Sequence, residues 1–558
     1  MPVPPGGRFP AHRCDQNVPG GILCLLLITA RNPTVSTSTG RVAAGRPNKI
    51  ADDGGRFASR TRIAWLLRMS RLYGRDPELA VATRFVVALA AHHGPVAPSQ
   101  VSRWENGAQP VPYRVIRAYE NVLELPPGHL SAAIDAVHQV RSVRPGTPRL
   151  DRRFVPDTRL TAELDDLLDR CLGDALVRGV DWDGMSARLL AIPHVYLPKA
   201  SWRTLADRLL AEMAVSRGRG YQHRWEALRR LQGHPVAREA VAAAVTEMVT
   251  DPASQVVFDP LMLLVHDRHA TQLLVNEVAS PANERTLFAA LTVCELAAEG
   301  GRFGGEDATA LGMHVRTLLA DNGLPAHLRR AAEDLTARLA PPGTRTTRAP
   351  RRGERDVAAA VASLTTTAEA ALDVTTRGTS AGENRMLSRL VDELLFSRQP
   401  DVRSGAAAVL AASPFGGPLG DALAGALAAS PAGDRSPVSE WAWALGAIGG
   451  AAHRPALEAV LTGPVSGAVA AQAAISLGNL PGRSDPAVLT ETVRRHGHAW
   501  QRTRRADAEE VLRASLYAAG MQRATPVLSD VGGRPDLPAE VRAAARWWLV
   551  HSGPVAED

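Results

Sequence analysis

Two histidines three apart, His266 and His269 in "HDRH", have the most ligand-like spacing in the 558-residue chain. On a helix that spacing places both imidazoles on one face, where they could share a metal ion, but no third ligand is identifiable and surface histidines are the commoner case. His92 and His93 adjoin a helix end, where a cationic ring complements the dipole. The pairs Asp165/Asp166 and Asp181/Asp183 fall in segments that read as exposed helix and turn. There is no GxxxxGKS/T phosphate loop and no HExxH. Cys14, Cys24, Cys171 and Cys294 have no ligand spacing and read as reduced thiols. We therefore expect no catalytic residue, no metal, no cofactor and no enzyme. A different chemistry is concentrated in "PSQVSRWENG" (98–107), where Ser, Gln, Arg and Asn supply the donors and acceptors that match base edges and phosphate oxygens.

The elements that must position those side chains follow from composition and pattern. Aromatic residues make up 4% of the chain and AVILMFWYC residues 45%. A core built from Ala, Leu and Val favours close-packed helices, so the expected class is all-α. The formal charge of +7 is unevenly spread: residues 1–150 hold 19 Lys and Arg against 9 Asp and Glu, and residues 151–558 hold 45 against 48. A basic N-terminal part on a nearly neutral body fits a nucleic-acid-binding head. The run "GILCLLLITA" (21–30) is too short to span a bilayer, and no Ala-x-Ala cleavage pattern follows it. Residues 1–55 are expected to be a disordered leader, and the protein to be cytoplasmic with no membrane partner.

Helical periodicity begins at "TRIAWLLRMSRLYG" (61–74), which places Ile63, Leu66, Leu67 and Leu72 inward and Arg62, Arg68 and Arg71 elsewhere. Asp76-Pro77-Glu78 supplies an N-cap, a first-turn proline and a carboxylate, and a second helix runs through "RFVVALAAHH" to Gly94. Pro98 opens a short third helix in which Val101 and Trp104 point inward while Ser99, Gln100, Ser102, Arg103 and Asn106 lie on other faces. Gly107 ends it. The next helix, within 112–125, turns Val115, Ile116, Tyr119 and Leu123 to the core.

"QVSRWENG", followed by a helix and "LELPPGHL", resembles the XRE/Cro-type helix-turn-helix over about 75 residues. That resemblance implies a DNA-binding head spanning 56–140. It places Ser99, Gln100 and Arg103 at base-contacting positions, Val101 and Trp104 in the core, and Asn106 near the DNA backbone; Glu105 matches a carboxylate of structural role. Ser102 shares the proposed groove face, and Arg62, Arg68 and Arg114 flank it as phosphate contacts. Gly74 and Trp104 stand about ten residues further apart than in the compact family pattern, so helix 2 is either longer or preceded by an inserted turn.

"VRPGTPRLDRR" (143–153) reads as part of a linker over 141–156. Beyond it the segments "HPVAREAVAAAV" at 234, "LPAHLRRAAEDL" at 324, "QPDVRSGAAAVL" at 399 and "LPAEVRAAARWWL" at 537 begin alike. Each has a proline near the start, then an aliphatic and an arginine, then alanines at helical spacing. Such hairpins stack into a solenoid, and these resemble HEAT-like repeats. An irregular helical bundle is the other arrangement open to them. The repeat regions are expected over 157–340 and 357–558, divided by the basic linker 341–356. The resulting expectation is a transcriptional regulator that binds double-stranded DNA as a homodimer and whose repeat body receives a protein partner or small-molecule effector. Two other readings remain: an interaction scaffold whose helix-turn-helix contacts protein, and a HEAT-like DNA-modifying enzyme, against which the body's net charge argues.

Overall fold

The structure, a computed structural model, describes residues 59–142, 152, 158–192, 195–265, 270–340, 354–372, 381–397, 399–430 and 437–556. The expected leader, the 266–269 histidine pair and most of both expected linkers lie outside them. Among the described residues the chain is helical and no strand occurs. The N-terminal unit comprises α1 (Ser59–Leu72), a 3₁₀ turn (Pro77–Ala80), α2 (Ala82–His93), α3 (Pro98–Glu105), α4 (Tyr113–Val122) and α5 (His129–Ser142). The middle stretch holds α6 (Thr158–Leu172), α7 (Gly179–Ala191), α8 (Lys199–Ala214), α9 (Gly218–Leu231), α10 (Pro235–Thr250), α11 (Phe258–Leu264), α12 (Thr271–Ala279), α13 (Glu284–Glu299), α14 (Gly305–Ala320) and α15 (Ala326–Leu339). The C-terminal stretch holds α16 (Glu354–Ala371), α17 (Ala381–Phe396), α18 (Pro400–Ala412), α19 (Gly416–Ala429), α20 (Val438–Ile448), α21 (Arg454–Thr462), α22 (Gly467–Asn479), α23 (Pro486–Thr503), α24 (Ala506–Gln522), α25 (Thr525–Gly533) and α26 (Ala539–His551). No described helix is long and apolar enough to cross a membrane.

Proline starts all four of the similar segments: Pro235 and Pro400 are the first residues of α10 and α18, and Pro325 and Pro538 precede α15 and α26. At that position the missing N–H would have had no intrahelical partner. In three of them the arginine that follows reaches back to the end of the preceding helix. Arg238 donates to the Gln232 carbonyl at 3.1 Å, Arg329 to Leu319 and Asp321 at 2.9 and 2.5 Å, and Arg403 to Leu394 at 3.0 Å. A guanidinium there satisfies orphan carbonyls and faces the negative end of the dipole.

Helices two apart in sequence pack on one another, α18 on α20, α22, α24 and α26 in turn, and α19 on α21, α23 and α25. Glycines set the close approaches in the first of these rows. A Cβ at Gly446 would stand 2.6 Å from Ser476, one at Gly478 2.6 Å from Tyr517, and one at Gly520 2.1 Å from Trp548. The middle stretch repeats this two-apart packing, α7 on α9, α8 on α10, α11 on α13 and α13 on α15.

Two apolar cores result. One runs through residues 164–335; the other joins the N-terminal unit to residues 361–548, across more than two hundred residues of sequence. Trp65 stacks on Phe415 with centroids 5.7 Å apart, and Tyr73 meets the same ring edge-on at 5.8 Å. His129 Nε2 lies 3.0 Å from the Ala412 carbonyl. On the other side of α5, Gln139 donates to Glu226 of α9 at 3.0 Å. Arg152, within the expected linker, is buried and pairs with Asp135 of α5 and Asp183 of α7.

Candidate nucleic-acid interface

α3 turns two faces to different surroundings. Val101 and Trp104 are each 2% exposed, and His93 meets the Trp104 ring edge-on at 6.3 Å. Ser99, Ser102 and Arg103 are exposed, and Gln100 and Asn106 are half-buried. The Arg103 guanidinium lies back along its own helix, donating to the Ser99 carbonyl at 3.2 Å and to Ser99 Oγ at 3.4 Å. Asn106 Oδ1 accepts from the Ala108 N–H at 2.9 Å, and Gly107 follows at φ 74°, a left-handed turn that suits glycine.

A buried ionic contact holds this helix. Glu105 takes both Nε and Nη2 of Arg71 at 2.7 Å, and the Tyr119 hydroxyl donates to its Oε1 at 3.1 Å. Arg71 also donates to the Ala80 carbonyl at 2.5 Å and lies 5.7 Å from the centre of Phe85, which meets Tyr119 edge-on at 4.7 Å. One carboxylate thus ties α1, α3 and α4 together by hydrogen bonds, those from Arg71 charge-assisted and of the strong class in a dry site. Sequence reasoning set Arg71 outside the core; its bidentate partner stands 34 residues away, beyond the reach of any local pattern.

The sites expected to meet phosphate separate. Arg114 is exposed in the first turn of α4, and Arg68 is half-buried on α1. Arg62 is a correction: it is buried and pairs with Glu393 of α17 through two contacts of 2.6 and 2.8 Å. Helical periodicity placed it on an outer face, but that face is covered by the C-terminal stretch, so Arg62 is not available to DNA. Between α1 and α2 stands the 3₁₀ turn Pro77–Ala80, opened by Asp76, whose Oδ1 accepts from the Glu78 N–H at 2.9 Å.

No protein-family model matches this chain, and no curated protein does.

The end of the unit is fixed as firmly as α3. Buried Glu120 accepts from the N–H groups of Gly128, Leu130 and Ser131 at 3.0, 2.9 and 3.1 Å, capping α5, while Arg117 donates to it at 2.8 Å. The exposed face of α3 therefore projects from a rigid support. Such a face can offer hydrogen bonds to an edge or a backbone; it brings no nucleophile or general base together. Among the described residues no group of three or more His, Cys, Asp or Glu side chains could hold a metal ion. Burial pushes the Cys171 thiol up to about 12 and raises that of Cys294, so both are inert at neutral pH.

Proposed function

We propose that this protein is a DNA-binding transcriptional regulator, with a helix-turn-helix formed by α2 and α3 and a HEAT-like α-solenoid body built on the two-apart helix packing. The observation that carries this reading is α3 itself: an eight-residue, proline-opened helix with Trp104 and Glu105 locked inward and Ser99, Ser102 and Arg103 turned to solvent. A helix of that size fits the major groove, with base edges met by its first turns. In this reading Gln100 and Arg103 read bases, since their side chains match adenine and guanine, and Ser99, Ser102 and Asn106 complete the contact. Arg114 and Arg68 meet phosphate. One head reads too few base pairs for genomic selectivity, so the chain acts as a homodimer on repeated half-sites, and the body receives a protein partner or small effector. The reading assigns no catalytic residue and no cofactor.

A salt titration of DNA affinity, on a selected site and on scrambled DNA, tests it. Gln100→Ala or Arg103→Ala is expected to lower affinity for the selected site by about 1 to 3 kcal/mol and leave scrambled DNA nearly unaffected. Arg114→Ala is expected to weaken both and to flatten the salt slope by about one. Equal losses on both DNAs for the α3 variants would overturn the reading in favour of a protein-contacting scaffold.

A further inference from the structure

The body carries a cationic stretch that α3 does not use. Residues 494–505, "RRHGHAWQRTRR", hold five arginines, two histidines and no acid, whereas the remainder of residues 151–558 holds 40 Lys and Arg against 48 Asp and Glu. They form the end of α23 and the turn into α24. Arg495 is structural, donating to the Thr462 and Leu461 carbonyls at 2.8 and 2.9 Å. His496 is half-buried beside it, and burial together with Arg495 pushes its pKa down to about 4. The others face outward. Arg494 and Arg505 are exposed and shared with Glu491 and Asp507. His498, Arg502 and Arg504 are exposed too, and neither Arg502 nor Arg504 makes an ion pair among the described residues.

Two features separate this stretch from an ordinary solvated helix end. Cations complement a helix dipole only within the last turn, which leaves Arg494 and His498 without that explanation. Arg494, His498 and Arg502 follow one another at four-residue intervals on one face, over about 12 Å of helix, long enough to meet several duplex charges. Arg504 closes α23 in the left-handed conformation, at φ 51°, where glycine would serve the turn better. The matching left-handed residue after α24, Arg523, uses its guanidinium on the Val555 carbonyl. Arg504 instead lies 3.8 Å from the centre of the Trp500 ring. Stacking orders a guanidinium while leaving its edge free to donate, the form in which arginine takes phosphate.

We propose that Arg502 and Arg504, flanked by Arg494, His498 and Arg505, form a second DNA-backbone contact on the body. This rests on the DNA-binding reading and adds a sequence-independent term to it. The N-terminal unit and this stretch belong to one continuous apolar core, so no flexible tether separates the two contacts, and on any duplex that reaches both their affinities combine.

The test uses the full chain. In a salt titration, R502Q/R504Q is expected to flatten the slope by about two and to weaken selected and scrambled DNA by the same factor, on the order of tenfold. R502K/R504K restores the slope, and R203Q, at a half-buried arginine elsewhere on the body that pairs with Asp207 and Glu247, leaves it as in the unaltered protein. An unchanged slope in R502Q/R504Q overturns the proposal. So does binding to phosphatidylserine vesicles that the double variant loses while its DNA slope stays unaltered, which would make the stretch a lipid-headgroup surface. If the α3 variants leave site preference intact while R502Q/R504Q still flattens the slope, the helix-turn-helix reading falls and the backbone contact stands. Absence of salt-dependent DNA binding by the unaltered chain removes both.

Discussion

At the scale of single residues, burial decides chemistry more than residue type does. Arg103 and Arg71 stand on neighbouring helices of one small unit, yet one is exposed and the other locked to Glu105. Asp259, in the first turn of α11, shows the same principle in a carboxylate: burial pushes it up to about 7, against a lowering hydrogen bond from the Tyr221 hydroxyl. Its folded pKa is raised, so its contribution to stability is fully present below about pH 4 and is lost as pH rises toward 7. Asp259→Asn is expected to remove that pH dependence and to stabilise the protein at pH 8 by on the order of 2 to 4 kcal/mol. Denaturant midpoints of both proteins at pH 4 and pH 8 check it. A pH dependence identical in the two would show that Asp259 does not titrate in this window.

At the scale of elements, the row from α18 to α26 depends on small residues that let one helix accept the side chains of the next. Gly520 is the tightest of these positions, since its backbone leaves no room for even a methyl group beside buried Trp548. Gly520→Ala must therefore displace an indole that also meets Trp547 and Tyr517 edge-on, at 5.0 and 5.7 Å. We expect a loss of about 1 to 3 kcal/mol, as overpacked cores show, although alanine is the better helix former. Gly425 lies in α19 with open space around it, so Gly425→Ala should be neutral or slightly stabilising. Equal melting temperatures for the two variants would contradict the packing described for α24 and α26.

At the scale of the whole molecule, the N-terminal unit is not insulated from the body. Its core continues into residues 361–548, with Phe415 seated between Trp65 and Tyr73 and Glu393 holding Arg62. Because α1 carries both Trp65 and Arg71, the element clasped by the body is also the one that holds Glu105 of α3. Phe415→Ala is expected to cost about 3 to 5 kcal/mol and to loosen α1 and α3 along with α18. Hydrogen exchange read by segment would show faster exchange in residues 59–105 of the variant. Faster exchange confined to the C-terminal stretch would mean that the two parts unfold independently.

Local pattern was enough to place much of this molecule. The proline-opened helices, the inward Val101 and Trp104, the turn at Gly107 and the outward Ser99, Ser102 and Arg103 all depend on residues within a few positions of one another, and a helix imposes its period on any such stretch. Tertiary structure decided which outer faces were truly outer. Arg62 and Arg71 fall outside the inward apolar set of α1, but α1 is enclosed on both sides, and each arginine meets a carboxylate that chain folding alone brings near. Arg152 follows the same rule in a stretch rich in proline and glycine, captured by Asp135 and Asp183. Periodicity reports that a side chain leaves its own helix axis in a given direction. What waits in that direction, water or another helix hundreds of residues away, is set by how the elements pack, and for a charged group that difference separates a surface contact from a buried tie.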